Sequence, residues 1–141
     1  MSGVLFVFFN INTSNGVPVY EQIARQIVFA VANRGIEVGE LVPSVRNLSR
    51  ELAVNPNTVA RAYRQLQDSG VLETVRGEGL AVTRGAAQKC KATRKKLVGD
   101  RILSVLQEAR QSQLTEEEIK SLFNESLATS KKLAAKNRTR K

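Results

Sequence analysis

The residues with the clearest chemistry lie in one short segment, Asn55 to Gly70, with the sequence NPNTVARAYRQLQDSG. Asn55 can cap the first free amides of a helix, Pro56 suits the first helical position, and Gly70 can end the helix. Asn, Thr and Arg hydrogen-bond base edges and phosphates, and no acid lies between Asn55 and Gln67. The segment predicts a helix whose polar face contacts nucleic acid, with an ordinary amphipathic surface helix as the alternative.

The spacing of the residues divides this helix into two faces. Apolar residues recur at i, i+3, i+4 and i+7, which is the spacing of a stripe that docks against a core. The apolar stripe comprises Val59, Ala62, Tyr63 and Leu66, and the opposite face carries Asn57, Arg61 and Arg64. One face should therefore pack against the body of the protein while the other meets a partner.

The segments before this helix predict the elements that position it. Pro18 opens a helix with a broad apolar face that runs to about Asn33 and is ended by Gly35, and residues 36–42 then predict a turn into a short strand. Ser44 is a good N-cap for a second helix, which ends near Ala53. Because so few residues separate that end from the Asn55 cap, the two helices should form a helix-turn-helix.

A β-hairpin is predicted after Gly70. Two short apolar runs, Val71–Val75 and Leu80–Thr83, flank a turn in which Gly77 and Gly79 can adopt positive φ angles. A hairpin directly behind a helix-turn-helix is a wing, and Arg76 would place a cation at its tip, where a loop that probes a minor groove needs one. The alternative is a plain hairpin with an incidental arginine.

The order of these residues resembles the GntR family of bacterial transcription regulators. The resemblance covers roughly Val17 to Thr83, and the short remainder is similar to the YtrA subfamily, whose members dimerise through a brief helical C-terminal extension. It implies a cytoplasmic regulator, most simply a repressor. The matching residues are Gly39, Leu41, Pro43, Ser44, Arg46 and Leu48, then Leu52, Val54, Asn55, Asn57, Thr58 and Val59, then Ala62, Tyr63, Leu66, Gly70, Val71, Leu72, Gly77 and Gly79.

The resemblance also implies roles for single residues. In the family's positions, Ser44 and Arg46 meet DNA at the start of the second helix, Arg76 and Gly77 do so in the wing, and the recognition helix acts through Asn55, Asn57, Thr58 and Arg61. This chain departs from the family at Pro56 and Ala60, where a basic residue that reaches DNA is common. The half-site sequence of better-known members therefore does not transfer.

Composition limits the other classes of function. The chain of 141 residues has a net charge of +9, a single cysteine, Cys90, and no histidine. Disulfide frameworks, imidazole catalysis and most transition-metal sites are thereby excluded, and no cofactor motif or catalytic pair is evident, so we expect no cofactor and no enzyme activity. Residues 17–84 carry eight basic and seven acidic residues, and residues 85–141 carry fourteen and six. The excess positive charge is therefore C-terminal.

Both ends of the chain predict further structure. The apolar stretch of residues 3–9 is too short to span a membrane and predicts an N-terminal strand or arm over residues 1–16. The basic segment Lys89–Lys96 predicts a solvated linker or a helix start, with a groove-binding arm that contacts phosphates as the alternative. Residues 131–141 predict a disordered basic tail that adds affinity for any DNA.

Between them, residues 85–130 predict two amphipathic helices. The first runs from about Thr93 to Arg110, and the second begins at a capping box of Thr115 and Glu118. Two helices of this size hide their apolar faces poorly alone, which favours a homodimer interface. The predicted interface residues are Leu97, Ile102, Val105, Leu106, Ile119, Leu122, Phe123 and Leu127.

These features together predict an α+β, mainly α, chain: a winged helix-turn-helix over residues 17–84, followed by a C-terminal helical dimerisation extension. The predicted function is regulation of transcription by binding double-stranded operator DNA, with the protein itself as second partner and without membrane insertion. A winged helix used for protein contact, or for nucleoid binding without sequence preference, is the alternative. The sequence does not determine whether a small-molecule effector exists.

Overall fold

The computed structural model describes residues 9–138, which form five helices and one two-stranded antiparallel sheet. The contacts divide the chain after Leu97 into two compact units. The predicted mainly helical α+β architecture is confirmed. In chain order the elements are α1 (Val19–Ala32), α2 (Val45–Leu52), α3 (Pro56–Asp68), β1 (Leu72–Val75), β2 (Gly79–Val82), α4 (Ala86–Gln111) and α5 (Glu116–Arg138).

The core of the first unit lies between α1, α2, α3 and the hairpin. The largest fully buried side chains come from all four elements and from the start of α4. The predicted stripe of α3 is buried in full, which confirms the docking face that the spacing indicated. These large buried side chains are Ile23, Ile27, Val31, Leu48, Val59, Leu66, Val82 and Cys90.

Helix α1 ends at Ala32, close to the predicted end, and Arg34 after it adopts the left-handed conformation, with φ of 60°. The N–H of Gly35 donates to the Ala30 carbonyl at 2.7 Å, which closes the helix end. Ile36, 2% exposed, then enters the core. Burial of that side chain fixes the path of the chain and offsets the strain of a non-glycine residue at positive φ.

The apolar stretch behind the prediction of an N-terminal strand or arm lies mostly within residues 1–8, outside the described part of the chain, and residues 9–16 form no strand. Two glutamine side chains of α1 take the place of a neighbouring strand. Gln26 Oε1 accepts from the Asn10 N–H at 2.8 Å while Gln26 Nε2 donates to the Asn10 carbonyl at 2.8 Å. Gln22 bonds both backbone groups of Asn12 in the same way, at 2.8 and 2.6 Å. Side-chain amides thus satisfy this backbone.

The predicted wing is confirmed, with its two strands joined in the register Leu72↔Val82 to Val75↔Gly79. The predicted short strand in residues 36–42 is reduced to one bridge, between Leu41 and Ala81. The Val42 N–H donates to the Leu80 carbonyl at 2.9 Å, so the segment before α2 is tied to the wing.

Helix α4 begins at Ala86, seven residues before the predicted start, so the basic segment Lys89–Lys96 is a helix start and not a linker. Cys90 is fully buried, and burial raises the pKa of its thiol. Lys89 Nζ donates to the Ser69 carbonyl at 3.3 Å and Arg94 bonds the side chain of Asn33. Two cations of α4 therefore meet the C-terminal ends of α3 and α1, where the helix dipole favours positive charge.

In the second unit, the predicted capping box of α5 is confirmed. The Glu118 N–H donates to Thr115 Oγ1 at 3.1 Å, and the Thr115 N–H donates to Glu118 Oε1 at 3.0 Å. The predicted disorder of the tail is wrong over residues 131–138, because α5 continues to Arg138. Alanine, lysine and leucine dominate this stretch, and extending an existing helix with such residues costs little free energy. Residues 139–141 lie outside the described part of the chain.

Candidate nucleic-acid interface

The N-terminal half of α3 presents the residues predicted to read DNA. Asn55 caps the helix, since its Oδ1 accepts from the Asn57 N–H at 2.8 Å. Asn57, Arg61 and Arg64 are exposed, and Thr58 is half-buried. One polar atom of Asn55 therefore holds the helix start, while the exposed side chains form a face without an acid until Asp68.

The start of α2 is built in a similar way and is locked to α3. Ser44 Oγ accepts from the Asn47 N–H at 3.0 Å, and Arg46 is exposed one helical position beyond Val45. The hydroxyl of Tyr63, on the buried side of α3, donates to the Pro43 carbonyl at 2.6 Å. Burial, and secondly the Glu51 carboxylate, raise the pKa of Tyr63, so this donor keeps its proton.

The tip of the wing consists of Arg76, Gly77 and Glu78, all exposed. Gly77 has φ of 79° and open space where a Cβ would stand, so the backbone conformation and not crowding requires glycine there. Arg76 supplies the predicted cation. Glu78 lies beside it, so the tip carries both signs of charge.

Hydrogen bonds join these three elements into one unit. The Tyr63 hydroxyl links α3 to the start of α2, and the Val42 N–H links that same segment to β2. Gln67 Nε2, at the end of α3, donates to Thr74 Oγ1 of β1 at 3.3 Å. The predicted residues of α2, α3 and the wing therefore stand on elements that are fixed to one another.

One contact at this site was not predicted from the sequence. The guanidinium of Arg61 lies over the ring of Tyr20, with Cζ 3.9 Å from the ring centroid. Tyr20 lies in α1, outside the segments that the sequence assigned to DNA contact. Helical periodicity relates residues within one helix, and these two residues lie on different helices, so no pattern in the sequence pairs them.

The predicted dimer residues lie in different surroundings. Leu97 closes the first unit and is half-buried, as is Leu106 of the second. Ile119 is buried within the chain, with 9% exposure. The other predicted interface residues, all exposed, are Ile102, Val105, Leu122, Phe123 and Leu127.

Metal-binding clusters and membrane-spanning helices are absent from the described part of the chain. Within residues 9–138, no group of three or more cysteine, aspartate or glutamate side chains could hold a metal ion. No helix over the same residues is long and apolar enough to cross a membrane.

Comparison with known proteins places this architecture in a family. Residues 19–82 match the family described as "Bacterial regulatory proteins, gntR family". The transcriptional repressor YtrA of Bacillus subtilis is 37% identical over 76 residues, which are 54% of this chain and 58% of that protein. The uncharacterised regulator YhcF of the same organism is 37% identical over 86 residues, 58% of this chain and 71% of its own length. The chain thus spans less than two thirds of YtrA.

The likeness extends to the fold. A GntR family transcriptional regulator from Listeria monocytogenes superposes with a TM-score of 0.60 at 27% sequence identity. The superposition covers 79% of this chain and 97% of the other, so it reaches beyond the winged helix into the helices that follow. The helix-turn-helix, the wing, the matched residues 19–82 and the extent of these likenesses lead to one assignment: the chain belongs to the gntR family of bacterial regulatory proteins.

Proposed function

We propose that this protein binds a specific DNA sequence as a homodimer and regulates transcription from the cytoplasm. The exposed face of α3 is the observation that carries the proposal. Asn57, Arg61 and Arg64 project from a helix whose opposite face is buried, and no acid accompanies them. Arginine and asparagine are suited to bidentate contacts with guanine and adenine in a major groove that admits one helix.

The start of α2 and the wing supply the flanking contacts in this proposal. Ser44 and Arg46 face the phosphate backbone beside the groove, as the first helix of a helix-turn-helix does, and Arg76 reaches the adjacent minor groove. Phosphate contacts fix register, whereas the α3 side chains read bases. The hydrogen bonds between Tyr63 and Pro43 and between Val42 and Leu80 hold these elements in one arrangement.

A homodimer follows from the apolar side chains of the second unit. Leu122, Phe123 and Leu127 are 43–57% exposed on α5 although they share one helical face. Contiguous apolar surface of this kind marks an interaction site. An isologous contact would bury the face on both copies and relate two reading heads by a two-fold axis, so the operator should be palindromic.

Repression is the direction of regulation that we propose, because YtrA, a relative at 37% identity, is described as a repressor. A dimer bound across a promoter blocks RNA polymerase by occupying the DNA, so repression requires no surface that contacts the polymerase.

Selection of bound duplexes from random DNA tests this proposal. We expect enrichment of an inverted repeat whose half-sites are about 10 base pairs apart or a multiple of that spacing, as one helical turn requires. The enriched duplex should bind at least about 10³ times more tightly than a scrambled duplex at the same salt concentration. Equal affinity for the two duplexes would instead indicate a non-specific nucleoid protein, and no affinity would indicate a protein-docking winged helix.

A further inference from the structure

Tyr20 and Arg61 come from different helices and meet at the exposed edge of the α1–α3 contact. Arg61 Cζ lies 3.9 Å from the centroid of the Tyr20 ring, well within the range of a cation–π contact. Tyr20 is half-buried and packs against the core, so its ring is a fixed platform. Arg61 by contrast is an exposed side chain with several rotatable bonds, which an isolated position would leave disordered.

The stacking uses one part of the guanidinium and leaves another available. The guanidinium carbon lies over the ring, and the five N–H donors lie in the plane of the group around it. Among residues 9–138, no hydrogen-bond or ion-pair acceptor engages these donors. A base edge or a phosphate could therefore bind the edge of Arg61 while the ring still supports its face.

The carboxylate that bonds the Tyr20 hydroxyl has its own partners on α1. The Tyr20 hydroxyl donates to Glu21 Oε1 at 3.3 Å, and Glu21 Oε2 pairs with Arg25 Nη2 at 3.5 Å. Both oxygens of Glu21 are thus directed to partners on α1.

We propose that Tyr20 is a positioning residue for DNA recognition, which holds the Arg61 guanidinium in the orientation that reads the operator. The inference rests on the proposed function and extends it to a residue outside the helix-turn-helix. Pre-organisation lowers the entropy cost of ordering Arg61 on binding. It also fixes the direction in which the N–H donors of the Arg61 guanidinium point. A base pair whose acceptors lie in that direction is then favoured over other base pairs.

A double-mutant cycle tests this role on the enriched duplex and on a scrambled one. Tyr20→Leu removes the π face but retains apolar volume, and we expect it to weaken binding of the enriched duplex about two- to five-fold per half-site. Tyr20→Phe keeps the ring and should bind like the wild type. Arg61→Lys keeps the charge but loses the planar fork, so it should lose preference while its affinity for scrambled DNA is retained.

The decisive measurement is the affinity for the enriched duplex when Tyr20→Leu is added to Arg61→Ala. No further loss of affinity should occur, because the guanidinium that Tyr20 supports is gone. Equal losses in both backgrounds, or an equal loss for scrambled DNA, would show that Tyr20 acts through the fold alone and would overturn the inference. Thermal unfolding of each variant checks that fold. If Arg61→Ala itself leaves preference intact, the inference fails while the proposed function stands; if no duplex is enriched at all, both fail.

Discussion

The two compact units of this chain use their apolar residues in opposite ways. In the first unit, Leu48 is fully buried and the α3 stripe packs against α1 and α2. In the described part of the second unit, residues 98–138, Ile119 alone among the hydrophobic side chains is buried. Phe123 and Leu127 remain 43% and 57% exposed. Yet both units contain amphipathic helices.

The apolar residues of the first unit stabilise the fold of one chain, whereas those of the second unit are available for assembly. The first unit has three helices, a hairpin and the start of α4 to surround a core, so one chain suffices to bury its apolar faces. Two helices have no third layer to cover their outer faces. In our proposal the second copy supplies that layer, and the following variants test the contrast from the largest expected effect to the smallest.

Phe123→Asp should disrupt the proposed dimer most strongly. The two-fold places the substitution at the interface twice, and each unpaired buried carboxylate costs several kcal/mol, so we expect a loss of about 5 kcal/mol or more per dimer. Sedimentation should show a folded monomer at micromolar concentration. That monomer should keep only weak binding to a single half-site.

Ser121→Asp is the matched control, because Ser121 is exposed on the opposite side of α5 from the apolar face and should leave the dimer intact. A Phe123→Asp protein that stays dimeric would move the interface to another surface of the chain.

Leu48→Ala should have the largest effect on the stability of the first unit. Removing this fully buried side chain loses transfer free energy and leaves a cavity, at a cost of about 2 to 5 kcal/mol. Leu127→Ala, made in the monomeric Phe123→Asp background, should cost less than about 0.5 kcal/mol because the side chain is already exposed there. Chemical denaturation measures both. Similar losses would mean that Leu127 is buried within the monomer.

Thr115→Ala should destabilise the second unit by about 1 kcal/mol, the usual cost of losing an N-cap. The helix-turn-helix should be unaffected, because its caps are Ser44 and Asn55. Amide hydrogen exchange resolves the two units and would show faster exchange at the start of α5 alone. Faster exchange throughout the chain would show that the units do not unfold independently.

The capping box also predicts a dependence on pH. The Thr115 backbone N–H, and secondly its side chain, hold the pKa of Glu118 below the ordinary value of 4.5. A lowered pKa in the folded state means that the carboxylate stabilises α5 above pH 4.5, and that this contribution is lost as the pH falls through the folded-state pKa. Glu118→Gln should remove this loss. If the variant loses stability at acid pH as the wild type does, carboxylates other than Glu118 are responsible for that loss.

Replacing Lys131, Lys132 and Lys136 by glutamine should have the smallest effect. Removing positive charge from α5 should weaken binding to all DNA alike. The slope of the logarithm of the binding constant against the logarithm of the salt concentration should become shallower by about 0.9 for each phosphate that the protein no longer neutralises. Preference for the enriched duplex should be retained. Deletion of residues 131–141 should flatten the slope further, and an unchanged slope in both variants would show that this end of α5 does not meet DNA.

Local signals in the sequence were sufficient to locate most of the winged helix. Asn55, Pro56 and Gly70 marked the recognition helix because caps and breakers act within one helical turn, and the period of its apolar residues identified the buried face. The capping box at Thr115 was found for the same reason. The start of α4 had a comparable signal that the prediction did not use, since Ala86, Cys90 and Leu97 follow helical spacing.

Tertiary structure decided the features that depend on partners distant in the sequence. The amides of Gln22 and Gln26 bond the backbone of Asn10 and Asn12, and the Tyr20 ring lies against Arg61. Pairings of this kind arise only when the core brings two helices, or a helix and a loop, into contact. Periodicity and capping describe one element at a time, so the sequence by itself determined which faces are buried, and packing determined which exposed groups meet.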